Sequence, residues 1–81
     1  MNKKHINIKE IYVPKKHIEG FSPKKVLELT EILMEGGELE SIKIREGKGR
    51  YVLIEGVHRL EAFKAVGEKV IFAHIIGAQL F

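Results

Sequence analysis

The sequence predicts a small α/β domain, one mixed sheet of about four strands with two main helices packed against it, in the order β-α-β-β-α-β. Three stretches carry that expectation. "HINIKEIYVP", His5 to Pro14, alternates apolar and polar residues. The segment after Ser22 opens like a capped helix, and "KVIFAHII", Lys69 to Ile76, is an unbroken apolar run.

Taken in order, His5 to Pro14 reads as a half-buried strand built on isoleucines and a valine, stopped by Pro14. A loop follows. Ser22 supplies an N-cap and Pro23 the first helical position, so a helix is expected through about Glu35, ending at Gly36-Gly37. Leu39 to Glu46 and Arg50 to Glu55 flank "GKG" and read as a hairpin. Gly56 then opens a second helix that closes at Gly67. Lys69 to Ile76 is expected to be a strand buried on both faces. No repeat, linker or low-complexity stretch interrupts this order, so residues 1–81 are read as one domain.

Composition excludes several classes. The 81 residues contain no cysteine, so neither a disulfide framework nor a thiolate zinc site is available and the core must come from packing. No apolar run approaches the roughly 20 residues of a membrane span, and "MNKKHINIKE" has no signal-peptide core. A cytoplasmic protein without a membrane partner is expected. The net charge of +3 favours anionic partners without naming nucleic acid. The basic residues are interspersed with acids rather than gathered in a stripe, which argues against a nucleic-acid partner.

The second helix carries an anomaly. At 100° per residue Leu60, Ala62, Phe63 and Val66 share one arc, while His58, Glu61 and Lys64 lie outside it. Arg59 falls inside the apolar arc. Its guanidinium would emerge beside the free N–H groups of Val57, His58 and Arg59, where Gly56 offers no side-chain cap. Positive charge at a helix start opposes the macrodipole unless an anion sits there. The first helix repeats the pattern with Lys24 and Lys25 in its first turn. If the two starts converge, Lys25, His58, Arg59 and free amides could hold a di- or triphosphate. The plainer readings are solvated lysines and an Arg59 paired with Glu55 or Glu19. His5, His17 and His74 have no metal spacing and are read as structural. "EGKGR" is a turn, and no P-loop or Rossmann fingerprint is present.

"IEGVHRLEAFKAVGEKV" resembles the G-x-H-R-x-x-A segment of the ParB/sulfiredoxin superfamily, and "GFSPKKVLELTEILMEGGELESIKI" resembles the helix and strand that precede it. The likeness runs from about Ile6 to Ile76. It implies that Gly56, Val57, His58 and Arg59 line a nucleotide phosphate site and that Lys25 contacts the nucleotide. The departures discriminate among branches. Val57 stands where sulfiredoxins carry the catalytic cysteine, which excludes sulfinic-acid reduction. Glu28 and Ile32 replace their small hydroxyl residues, and the second nucleotide motif and helix-turn-helix of ParB proteins are not in these residues. Similarity to the ADP-dependent free-serine kinases, with their D-G-H-H-R motif, sets Glu55 at the aspartate of that motif and Glu19 at the catalytic base.

Phosphoryl transfer needs cations around the moving group, an oxygen ligand for Mg²⁺ and a base. Lys25, His58 and Arg59, then Glu55, then Glu19 would supply them. The leading expectation is an ATP- or ADP-binding domain with Mg²⁺, with phosphotransferase or hydrolase activity left open. The alternative is a ParB-like nucleic-acid or partition adaptor without catalysis. The apolar ending "IIGAQLF" suggests a homo-oligomer formed through the tail.

Overall fold

Ile6, Ile8 and Ile11 do not keep a single alternation, because the third is displaced by one position from the period of the first two. In a continuous strand Ile11 would point away from the core face of its predecessors. The computed structural model, which describes residues 2–77, resolves the conflict with a break. Strand β1 (Asn2–Asn7) ends in one 3-10 turn over Ile8–Glu10, and β2 (Ile11–Tyr12) follows. All three isoleucines are thereby buried. The one strand expected over His5 to Pro14 is therefore two, which raises the sheet from about four strands to five. The C-terminal tail from Ala78 to Phe81, read as an oligomerisation element, lies outside the described residues.

The remaining elements are α1 (Pro23–Met34), β3 (Ile42–Glu46), β4 (Tyr51–Glu55), α2 (Val57–Ala65) and β5 (Val70–Ile76). The sheet order is β1-β5-β3-β4-β2. β1 pairs antiparallel with β5, β3 lies parallel to β5 and antiparallel to β4, and β2 lies parallel to β4. Consecutive strands β1 and β2 thus occupy opposite edges. From Asn7 to Ile11 the chain reaches at most about 14 Å, whereas four inter-strand steps of a flat sheet measure about 19 Å. The sheet must curl. Its concave face encloses Ile6, Ile8, Ile11, Ile42, Ile44, Leu53, Ile71 and Ala73, and Leu60 of α2 closes the cluster.

The local signals act as expected at both helices. Ser22 Oγ accepts the Lys25 N–H at 3.2 Å with Pro23 at the first helical position, and α1 stops at Gly36, whose successor Gly37 bonds back to Ile32 O at 2.9 Å. The hairpin forms around the glycines, although β3 starts at Ile42 and residues 39–41 are its lead-in. One expectation about β5 is corrected. Ile71 and Ala73 are buried, but Val70 and Phe72 are open, so the strand is buried on one face only. The concave side of the sheet holds the core, and the alternate residues of β5 point the other way. Among the described residues no helix is long and apolar enough to cross a membrane.

Helix α1 contributes no fully buried residue, whereas Leu60 and Ala62 of α2 are fully covered. Leu60→Ala should therefore lose about 2–5 kcal/mol of stability in urea unfolding. Leu27→Ala, on the open side of α1, should change it by less than about 0.5 kcal/mol. Equal losses would show that α2 does not anchor the core.

Candidate functional site

The turn between β4 and α2 is built around Gly56. Its φ of 112° lies in the left-handed region, and a Cβ there would stand 2.7 Å from Ile42 Cγ2 and 3.2 Å from Arg59 Nη2. Any side chain would be strained and would collide with the core. As a consequence α2 has no side-chain cap. Its first intrahelical bond runs from Leu60 N–H to Gly56 O at 2.9 Å, so the N–H groups of Val57, His58 and Arg59 precede the ladder. α1, by contrast, has its first turn capped by Ser22.

The uncapped helix start borders a cavity of about 400 Å³ lined by His17, Lys25, Leu29, Ile54 and the whole run from Glu55 to Arg59. Lys25, Glu55, Gly56, Val57, His58 and Arg59, all predicted from sequence, are thus brought together. Glu19 is not among the lining residues. It is exposed on the loop before α1, and His17, two positions earlier, lines the cavity instead. Lys24 is also exposed and outside the lining.

His58 is held on two sides. The Ser22 N–H donates to its Nε2 at 3.0 Å, and Phe21 stacks on the ring at 5.3 Å and 8°. A nitrogen that accepts carries no proton, so the ring proton is on Nδ1. In this arrangement His58 brings one N–H donor to the site rather than the cation expected from the sequence. His17 has the opposite assignment: its Nε2 lies 3.1 Å from Leu53 O and must donate. It pins the loop onto the middle of β4.

Arg59 answers the anomaly of a charge on the apolar arc. Its side chain is only 17% exposed. Nη1 donates to Ser41 O at 2.8 Å and Glu40 O at 3.2 Å, and Nη2 reaches Glu55 Oε2 at 3.4 Å. The guanidinium therefore straps the lead-in of β3 to the start of α2 through backbone carbonyls. Glu55, whose side chain is 56% exposed, also stands 3.8 Å from Lys43 Nζ. Its carboxylate lies between two cations. Among the described residues no three His, Asp or Glu side chains gather into a metal-ligand set.

A curled mixed sheet whose β4–α2 turn gathers basic and acidic side chains around a bare helix start is a ParB/sulfiredoxin-like domain. The sequence model of the ParB N-terminal domain family matches residues 2–79, and the chain belongs to that family. No curated protein matches it by sequence. Solved structures share the fold. Sulfiredoxin from Arabidopsis thaliana superposes with a TM-score of 0.83 at 24% identity, over 96% of this chain and 88% of that one. The C-terminally truncated chromosome-partitioning protein ParB from Caulobacter crescentus, complexed with CTP-γ-S, gives 0.78 at 21% identity, over 100% of this chain and 46% of that one. A free serine kinase in complex with AMP gives 0.74 at 15% identity, over 91% of this chain and 30% of that one. The chain thus spans most of the sulfiredoxin but less than half of the ParB protein and under a third of the kinase.

The strap makes Arg59 a stability residue as well as a candidate ligand. Arg59→Ala should cost about 1–3 kcal/mol in urea unfolding, because two carbonyls lose a charged partner. Glu55→Gln, at a solvent-exposed pair, should cost less than about 1 kcal/mol. Full stability of Arg59→Ala would show that the strap carries no weight.

Proposed function

We propose that this domain binds the phosphates of a nucleoside di- or triphosphate, ATP or ADP with Mg²⁺, at the start of α2. One observation carries the reading: Lys25 and the run Glu55–Arg59, remote in sequence, line a single cavity onto which an uncapped helix start opens. A helix start of this kind favours anions through its free N–H groups and its dipole. The fold relatives that hold CTP-γ-S and AMP support a nucleotide as the source of that anion.

The residues present fit the phosphate part of such a ligand. Gly56 leaves the backbone uncovered, Val57, His58 and Arg59 offer amides, and His58 Nδ1–H and Lys25 add donors. Mg²⁺ typically keeps several waters and takes one or two carboxylates plus phosphate oxygens. Glu55 is the carboxylate that lines the cavity, so it would hold the ion with the phosphates. When bound, the ion would neutralise phosphate charge. Glu19 is proposed as the base for a transfer or hydrolysis step, reaching in from the loop that His17 anchors.

Calorimetric and thermal-shift titrations with ATP, ADP, CTP and GTP, with and without Mg²⁺, test the reading. A ligand at a hundredfold its dissociation constant should add about 2.7 kcal/mol, or roughly 10 °C or more for a domain of this size. Lys25→Ala should weaken the binding about tenfold. Absence of a shift with every nucleotide would end the proposal. If phosphate release is measurable, Glu19→Gln should lower it roughly 10²-fold at unchanged affinity. Equal rates would remove Glu19 from the chemistry and leave a binding module.

A further inference from the structure

The convex face of the sheet is the other unassigned surface, and the pleat sorts charge onto it. Along the sequence the cations alternate with acids, but in the sheet only every second residue of a strand shares a face. The register places Lys3, His5, Lys43, Arg45, His74 and Phe72 on the side opposite Ile6, Ile44 and Ile71. Tyr12 joins them through Val52, which pairs with Arg45. The strands contain two acids, Glu46 and Glu55. Glu46 alternates to the other side, and Glu55, which shares the convex side with Lys43, is paired to it at 3.8 Å.

Two aromatic rings stand among these cations. Phe72 is 39% exposed and Tyr12 44%. Lys3 Nζ lies 5.7 Å from the Phe72 centroid, and His5 stands against the same ring at 4.8 Å. The Arg50 guanidinium lies 3.9 Å over Tyr12, presenting a flat cation and ring together. From Phe72 to Tyr12 the path crosses three strand spacings and four residues, about 20 Å along the sheet. Arg45 and Lys43, on β3, lie between the two ends.

We propose that this convex face binds single-stranded nucleic acid. Cations spaced between exposed rings match a chain of phosphates whose unpaired bases can stack. A duplex keeps its bases stacked internally and has no use for the rings, and an apolar partner would have to bury the charges of Lys3, Lys43 and Arg45. Of the four Lys and Arg residues in the strands, the fold thus gathers Lys3, Lys43 and Arg45 on one face, and only Lys4, which pairs with Ala73, lies on the other. Lys3, Tyr12, Arg45 and Phe72 do not line the cavity at α2, which meets this face through Glu55, so changes at those residues test the occupant apart from the nucleotide reading.

Fluorescence anisotropy with labelled oligothymidylate and oligouridylate of about 15 nucleotides, within the span of sites on comparable small folds, tests the inference. The intact chain should bind one or both at low salt. With Lys3, Lys43 and Arg45 each neutralising a phosphate, log K should fall with log salt at a slope of about −2. Phe72→Ala should weaken binding roughly tenfold, and Arg45→Glu, an exposed change on β3, should weaken it at least as much. Neither should alter the nucleotide titration. If Phe72→Ala melts early, Arg45→Glu alone decides. No binding by the intact chain, binding to duplex of equal length at least as tight, or affinity unchanged in Arg45→Glu would each overturn the proposal. So would self-association lost in Arg45→Glu without oligonucleotide binding.

Discussion

The structure depends on one short connection. Three residues, Ile8–Glu10, join strands at opposite edges of the sheet, and no flat sheet allows so short a link. Ile8 fastens the crossing by donating its N–H to Lys69 O at 2.9 Å, just before β5, and by burying its side chain in the core. Once the sheet is curled, its two faces cease to be equivalent. The concave one closes around aliphatic side chains and receives α2. The convex one carries polar and aromatic residues beside Val52, Val70 and Ile76. Both candidate surfaces follow from that asymmetry: one at the end of β4 where α2 departs, the other on the outside of the curl.

At the end of β4 the chain turns into α2 within a single residue, and Gly56 alone can make that turn against Ile42. The same tightness that excludes a Cβ removes any capping side chain, so bare amides at this helix are a by-product of packing before they are a feature of binding. Arg59 then stabilises the turn from the other side. Its shortest contacts are to the carbonyls of Glu40 and Ser41, with the Glu40 carboxylate at 3.8 Å, so the guanidinium links α2 to the lead-in of β3. Glu55 joins this arrangement to the convex face, since it reaches Arg59 on one side and Lys43 on the other.

Much of this was legible in the residues. The caps at Ser22 and Pro23, the glycine stops, the hairpin around "GKG" and the place of Arg59 on the inner arc rest on local chemistry, and local chemistry is what a sequence states. Lys25 and the run Gly56–Arg59, which line the cavity, were legible for the same reason, being two helix starts with charges of the wrong sign, while Glu55 came from the family resemblance. The misses share a different cause. The strand over His5 to Pro14 was read as continuous because the single-residue slip before Ile11 is small beside the general alternation, and only the burial of all three isoleucines reveals the break. Two of the partners of Arg59 are backbone oxygens, which no residue type advertises. His17 lines the cavity because a loop folds back over Leu53, a long-range contact without a local signal. The separation of charge between faces was also hidden, since it needs strand register, and a one-residue shift would reverse it.

The local electrostatics also decide how a phosphate would be held on the proposed reading. A count of cations by sequence suggests three, Lys25, His58 and Arg59, yet His58 offers a neutral N–H and Arg59 is already bonded. Its three hydrogen bonds are unequal: the Ser41 carbonyl is at 2.8 Å, whereas the Glu55 carboxylate is at 3.4 Å. A phosphate oxygen arriving at Nη2 would compete with the weaker contact and leave the strap to the carbonyls intact. Glu55, released from Arg59, would then be a carboxylate beside a polyanion, an arrangement that repels unless a divalent cation lies between them. On the proposed reading, phosphate binding and Mg²⁺ would thereby be coupled through one side chain. On that reading Lys43, at 3.8 Å, would be the one cation left to Glu55, and a divalent ion would be favoured by the competition for Arg59.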